Sequence, residues 1–180
     1  MRILTILIIA LLSTNAIAQK KIKWMTMNEA IEAQKEEPKK IFVDAYTAWC
    51  GWCKKMDKDT FAKADVAQYI NDNFYPVKFD AEGNSTVDYK GQSFTNVNYK
   101  ASRKNSRNSQ HDFARLMQVR GYPAIVFIDA VDGFQAFSGY KKPRQLEVVL
   151  RMMKTDAYKE LTTQEKYNEY VTDFEYTFSK

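Results

Sequence analysis

Ile41-Phe42-Val43-Asp44-Ala45-Tyr46-Thr47-Ala48-Trp49-Cys50-Gly51-Trp52-Cys53 decides how this 180-residue chain is read. An apolar run rich in strand formers, Ile41 to Tyr46, leads into the chain's 2 cysteines, Cys50 and Cys53, which two residues separate. Lys54-Lys55-Met56-Asp57-Lys58 follows as a helix-compatible segment. A Cys-x-x-Cys pair between a strand and a helix reads as a redox dithiol, because the partial positive charge at a helix N-terminus favours thiolate over thiol. A bond between cysteines this close constrains the unfolded chain little. The pair therefore makes more sense as chemistry than as a structural staple.

Residues 1–18 stand apart from the fold. Arg2 supplies a short basic region, Ile3 to Leu12 an apolar core, and Ala16-Ile17-Ala18 a small-x-small cleavage site. This pattern predicts a secretory signal peptide cut before Gln19. Its apolar run is shorter than the ~20 residues that span a bilayer, and no cysteine follows the cut to carry a lipid. Export, expected to be to a bacterial periplasm, places the pair where disulfides persist. The remainder predicts one domain over 19–154, with an insertion at about 81–111, and a C-terminal helical extension over 155–180.

The net charge of +5 is mild, with 27 Lys and Arg against 22 Asp and Glu. Its placement says more than its size. Between Asn84 and Arg115 lie Lys90, Lys100, Arg103, Lys104, Arg107 and Arg115 against only Asp88 and Asp112. Outside that segment and the leader the chain is near neutral, which argues against a domain built to grip nucleic acid.

Thr26 and Glu29 have capping-box spacing and predict a helix from about Met27 to Glu36, ended by Pro38, with Met27, Ala30, Ile31 and Gln34 on one side. Ile41 to Tyr46 suits a central strand covered on both faces. Val66, Tyr69, Ile70 and Phe74 recur at helical spacing, and Tyr75 to Asp80 is the next strand. From Ala81 to about Gln110 periodicity dissolves into a solvated loop with a possible partner-recognition role, where Phe94, Val97 and Tyr99 are candidates for a small strand or core contacts. Phe113, Leu116 and Met117 predict a short helix. Strands follow at Ala124 to Asp129 and Phe134 to Ser138, turning through Val131-Asp132-Gly133. Pro143 opens a helix whose buried stripe is Leu146, Val149, Leu150 and Met153. Thr162 and Glu165 predict a last helix, with Tyr167, Tyr170, Val171, Phe174 and Phe178 along one face.

This order resembles the thioredoxin superfamily over roughly Lys21 to Lys154, with the basic insertion as the main departure. Trp49 before Cys50 is similar to the family's Trp-Cys. Asp44 falls where thioredoxins keep a buried acid. Val77-Lys78-Phe79-Asp80 resembles the strand whose lysine pairs with that acid, and Gly121-Tyr122-Pro123-Ala124 the segment carrying a cis-proline. The Trp-Cys-Gly-Trp-Cys-Lys-Lys-Met form is similar to secreted thioredoxin-like proteins and to the outward-facing domain of a bacterial membrane thiol reductase. The resemblance implies an α/β thioredoxin-like fold, a central mixed sheet flanked by helices.

For the site, Cys50 is read as the attacking thiolate, aided by Lys54 and Lys55, and Cys53 as the thiol that resolves the mixed disulfide. The resemblance implies that Asp44, working with Lys78, accepts the Cys53 proton. Trp49 and Trp52 are expected to rim the substrate site. A cis-Pro123 would leave the Tyr122 backbone free to pair with a substrate strand. No cofactor is expected, since the cysteines carry the two electrons, and no metal. A zinc site wants four ligands, and His111, the only histidine, is read as a surface or helix-cap residue. Strongly oxidising relatives place a histidine where this chain has Trp52. The reading is thus an enzyme on the reducing or isomerising side, with a potential nearer about −270 mV than about −120 mV. Expected partners are protein disulfides and a membrane thiol reductase that recharges the pair. The alternatives are an oxidase of the same fold, a non-catalytic adaptor and a metal carrier.

Overall fold

The computed structural model describes residues 20–131 and 133–179; the leader over 1–18 and Asp132 of the expected turn lie outside them. The elements run α1 (Met27–Glu36), β1 (Ile41–Tyr46), α2 (Gly51–Met56), α3 (Ala64–Asn73), β2 (Tyr75–Asp80), β3 (Val87–Tyr89), β4 (Gln92–Phe94), α4 (Asp112–Leu116), β5 (Ala124–Asp129), β6 (Gly133–Ser138), α5 (Pro143–Lys154) and α6 (Gln164–Thr172). Four strands form a mixed sheet in the order β2-β1-β5-β6. β1 runs parallel to β2 and antiparallel to β5, and β6 pairs antiparallel with β5. β3 and β4 form a separate hairpin.

Alternation along the central strands divides the core into two layers, because successive strand side chains point to opposite faces. Ile41, Val43 and Ala45 of β1 join Ala124, Val126 and Ile128 of β5 in a cluster closed by α1 and α4. Phe42, Ile125 and Phe127 face the other way, into a cluster closed by α2, α3 and α5. Phe127 is fully buried there, with its ring 5.3 Å from that of Phe74 and 5.6 Å from that of Phe42. The two-sided burial explains the continuous apolar run in β1. By the same alternation, Asp44 shares the face of Phe42, beneath the helix that follows the cysteines.

The ends of α1 follow the sequence closely. The Thr26 hydroxyl accepts from the Glu29 N–H, and the Glu29 carboxylate accepts from the Thr26 N–H at 2.8 Å. After Met56 the second helix does not stay regular. It opens into a wider turn over Asp57–Phe61, in which the Ala62 N–H reaches the Asp57 carbonyl at 3.0 Å.

Several expectations change in the insertion and tail. Val97 packs nowhere and is 80% exposed, whereas Phe94 rests against Phe113 at 5.4 Å. The segment is tied down by Asn96, whose amide donates to the carbonyls of Gly83 and Ser109 and whose carbonyl accepts from the Ser109 hydroxyl. This polar hub joins the core contact of Phe94, which ends β4, in holding the segment. Leu116 is 37% exposed, and Ala114 takes its place beside Phe113 and Met117. His111 does cap α4, accepting from the Phe113 N–H, but it is fully buried rather than on the surface.

In the tail, Thr163 rather than Thr162 caps the last helix, and the helix ends at Thr172. The expected aromatic stripe therefore breaks before Phe174. Phe178 is nonetheless buried, 5.7 Å from Tyr69, because Glu147 on α5 seizes the chain around it. The fully buried Glu147 carboxylate accepts from the N–H groups of Thr177 and Phe178 and from the Thr177 hydroxyl, while Arg151 pairs with it at 3.0 Å. An uncompensated buried charge is costly, and so is an unmade bond to one. Glu147→Ala should lower unfolding stability by about 3 kcal/mol and expose the chain after Thr172 to limited proteolysis, with Cys50 and Cys53 reactivity retained. A tail as resistant as the parent's would show that Glu147 is not its anchor.

Candidate active site

Cys50 occupies the N-cap of α2, where its backbone is extended and its sulfur accepts from the Cys53 N–H at 3.0 Å. The side chain thus satisfies one of the helix's orphan donors. Cys53 lies one turn inward, and the two are joined as a disulfide with Cα atoms 5.3 Å apart. Both are nearly buried, at 4% and 3% exposed. A tight turn from β1 presents the pair, with the Cys50 N–H donating to the Thr47 carbonyl at 3.1 Å.

In the strand that leads to the pair, the β1–β2 register sets Asp44 directly beside Lys78. Their charged groups are 3.5 Å apart, and Asp44 is 2% exposed. Lys78 also makes a closer ion pair with Asp57, in the opened turn after α2. Its ammonium lies 5.2 Å from the Tyr46 ring and 5.6 Å from the Trp24 ring. Burial drives the Asp44 carboxyl up from its ordinary value of 3.8 to about 7. Lys78 pulls against that rise, and the negative charge of Asp57 adds to it. Desolvation is the largest of these effects and sets the direction of the shift.

The two tryptophans have different surroundings. Trp49 is half-buried; its indole N–H donates to the Glu82 carboxylate at 2.7 Å and its ring meets Tyr122 edge-on at 6.0 Å. Arg107 lies over the same indole, 4.8 Å from its centre. Trp52 is 60% exposed and leans on Tyr140 at 5.6 Å. The Tyr122–Pro123 peptide is cis, and the Trp49–Tyr122 contact brings this segment to the cysteine turn. Lys55, expected to favour the Cys50 anion, is instead bonded to Asp59 at 2.5 Å, and Lys54 is exposed. Helix-end charge is left as the main support for a thiolate at Cys50. Among the described residues no cluster of His, Cys, Asp and Glu could hold a metal ion.

Four participants escaped the sequence reading. Asp57 was visible only as part of a helix-compatible segment, and the opened turn that aims it at Lys78 leaves no mark in the hydrophobic pattern. Glu82 and Arg107 sit in the aperiodic insertion, and Tyr140 in a loop before α5. Their common signal was proximity to the expected site in three dimensions, which spacing does not encode.

A family model for the thioredoxin-like domain matches residues 27–154. The disulfide bond reductase DsbH of Chlamydia pneumoniae is 25% identical over 119 residues, covering 65% of this chain and 62% of DsbH. An uncharacterised protein of Caenorhabditis elegans is 35% identical over 72 residues, and rat spermatogenesis-associated protein 20 is 33% identical over 60. Those stretches cover 39% and 33% of this chain but only 10% and 8% of the relatives. Among solved structures, a Thermus thermophilus thioredoxin superposes with a TM-score of 0.55 at 17% identity, over 80% of this chain and 97% of its own. A DsbH oxidoreductase gives 0.51 at 22% identity, over 81% and 90%. With the sheet order, the helix-capping disulfide and this match in agreement, the chain belongs to the thioredoxin-like domain family.

Proposed function

We propose that this protein is an exported thiol–disulfide oxidoreductase that reduces or reshuffles disulfides of envelope proteins through Cys50 and Cys53. The observation that carries the reading is the disulfide seated at the N-terminus of α2, in a fold whose adjoining strand buries the Asp44 carboxyl. The likeness to a relative named as a disulfide bond reductase supports the reducing direction, as does Trp52 in place of the histidine of strong oxidants.

In the reduced protein the Cys50 thiolate attacks a substrate disulfide. That S–S bond breaks, a mixed disulfide forms on Cys50, and the first substrate sulfur leaves as a thiolate that takes a proton from solvent. Cys53 passes its proton to the Asp44 carboxylate and attacks the Cys50 sulfur. The second substrate sulfur departs, and the substrate has gained two electrons and two protons while the Cys50–Cys53 bond re-forms. A base of pKa about 7 is matched to this transfer near neutral pH. A membrane thiol reductase recharges the pair. Trp49 and Trp52 rim the entry, and the Tyr122–Pro123 segment offers backbone to an extended substrate strand. Because Cys50 is so recessed, a narrow extended segment reaches it better than a broad surface does.

A Cys53→Ala variant expressed in the native host should accumulate mixed disulfides through Cys50 that dithiothreitol releases. An empty trap in a folded, exported protein would overturn the reading. Asp44→Asn should slow release of the mixed disulfide by about a hundredfold at pH 7, the size expected for loss of a general base.

The same substitution tests the burial of Asp44. The unfolded chain loses this proton near 3.8 and the folded chain only near 7, so unfolding releases a proton between those values. Stability from this group therefore falls as pH rises from about 4 to 7 and stays low above that. Asp44→Asn should remove the slope and raise stability at pH 8 by at most about 4 kcal/mol, from roughly three pKa units at about 1.4 kcal/mol each. Asp57→Asn removes a repelling charge and returns Lys78 to Asp44. It should move the pH midpoint of mixed-disulfide release downward, and an unmoved midpoint would show that Asp57 does not tune the site.

A further inference from the structure

The basic insertion does not end in solvent; it ends on the cysteine turn. Glu82, at its start, takes the Trp49 indole N–H and the Asn108 backbone N–H on the same carboxylate oxygen. That shared anchor brings Arg107 over the Trp49 ring, one residue from Cys50. Asn108 also fastens the loop to itself, accepting from the Lys100 N–H and donating to the Lys100 carbonyl. Asn96 holds the far side through Gly83 and Ser109. The loop is therefore a built wall of the site.

Its charges are unspent. Arg115 is matched by Asp112, and the Asp88 carboxylate takes the Ser93 hydroxyl. Lys100, Arg103, Lys104 and Arg107 are exposed and have no carboxylate partner among the described residues. Lys100, Arg103 and Arg107 line one open hollow with Asn108. A second hollow is floored by Trp52 and Tyr140 and rimmed by Lys58, Lys63 and Lys142. The one acid on that rim, Asp59, is already bonded to Lys55. Arg107 of the first hollow lies over Trp49 and Trp52 lines the second, so each positive hollow reaches a tryptophan that neighbours the cysteine pair in the chain.

We infer that the two hollows together form a docking surface for an acidic, extended polypeptide whose disulfide is presented to Cys50 between clusters of Asp and Glu. This rests on the exchange reading above and adds the class of substrate. Charge complementarity of this kind raises encounter rates and fixes orientation more than it deepens binding. A nucleic acid is the weaker match. It brings no sulfur to Cys50, and the Trp49 face on which a base would stack is covered by Arg107.

The test uses two peptides with the same central disulfide, one flanked by Asp and Glu and one by Lys, and follows reduction of each by the dithiol protein. The acidic peptide should react at least about tenfold faster at low salt, and the ratio should approach one in 1 M NaCl, where screening acts within about 3 Å. Lys100→Glu with Arg103→Glu should cut the ratio severalfold. A cysteine-free acidic peptide, labelled for fluorescence anisotropy, should bind the oxidised protein and be weakened by the same pair of changes. Reduction of neither peptide, with the acidic binding intact, would overturn the exchange reading and leave the surface standing. Equal rates, with a ratio that neither salt nor the variants move, would overturn the surface and leave the exchange standing. Tighter binding of single-stranded RNA or of anionic phosphatidylglycerol vesicles than of the acidic peptide would overturn the polypeptide assignment.

Discussion

A carboxyl group held inside an apolar sheet, with its lysine shared by a rival acid, is the arrangement on which this site depends. Burial of Asp44 costs free energy that an apolar residue at the same place would not. Parallel pairing of β1 with β2 delivers Lys78 beside it, but Asp57 takes the closer contact. The balance leaves Asp44 able to hold or release a proton near neutrality. Burial is the largest cause of the rise in its pKa, and the charge of Asp57 adds to it against the pull of Lys78. The opened turn after α2 therefore matters chemically as well as geometrically, since it is what carries Asp57 to the lysine.

The surface above this buried acid is organised by a second carboxylate, Glu82. One oxygen holds both the indole of Trp49 and the backbone of the insertion, so the loop's position and the tryptophan's are set together. The thioredoxin-like frame supplies the helix-end sulfur and the sheet, while the insertion carries the exposed cations Lys100, Arg103, Lys104 and Arg107. Division of labour between a rigid scaffold and a loop at its rim is the usual way one fold acquires different partners.

What could be read from the sequence follows from how local its causes are. The helix over Met27–Glu36 rests on a capping box and the strand over Ile41–Tyr46 on an unbroken apolar run, and both appear at those bounds. The cysteine pair was legible from its two-residue gap, whereas Asp44 and Lys78 were read through the family resemblance, and the β1–β2 register sets them side by side. The tail was legible only in part. Thr162 and Thr163 are both competent caps, and spacing alone does not choose between them. Phe178 is buried because Glu147, some 31 positions away in the chain, binds its backbone. The insertion was opaque for a similar reason: Asn96, Glu82 and Asn108 build it through polar bonds, which have no period to detect.

The most direct measurement is the equilibrium of the Cys50–Cys53 pair with a thiol–disulfide buffer, followed through tryptophan fluorescence. The account predicts a fully reversible two-electron transition with a potential near about −270 mV. A pair that never opens, or one poised near about −120 mV, would contradict it.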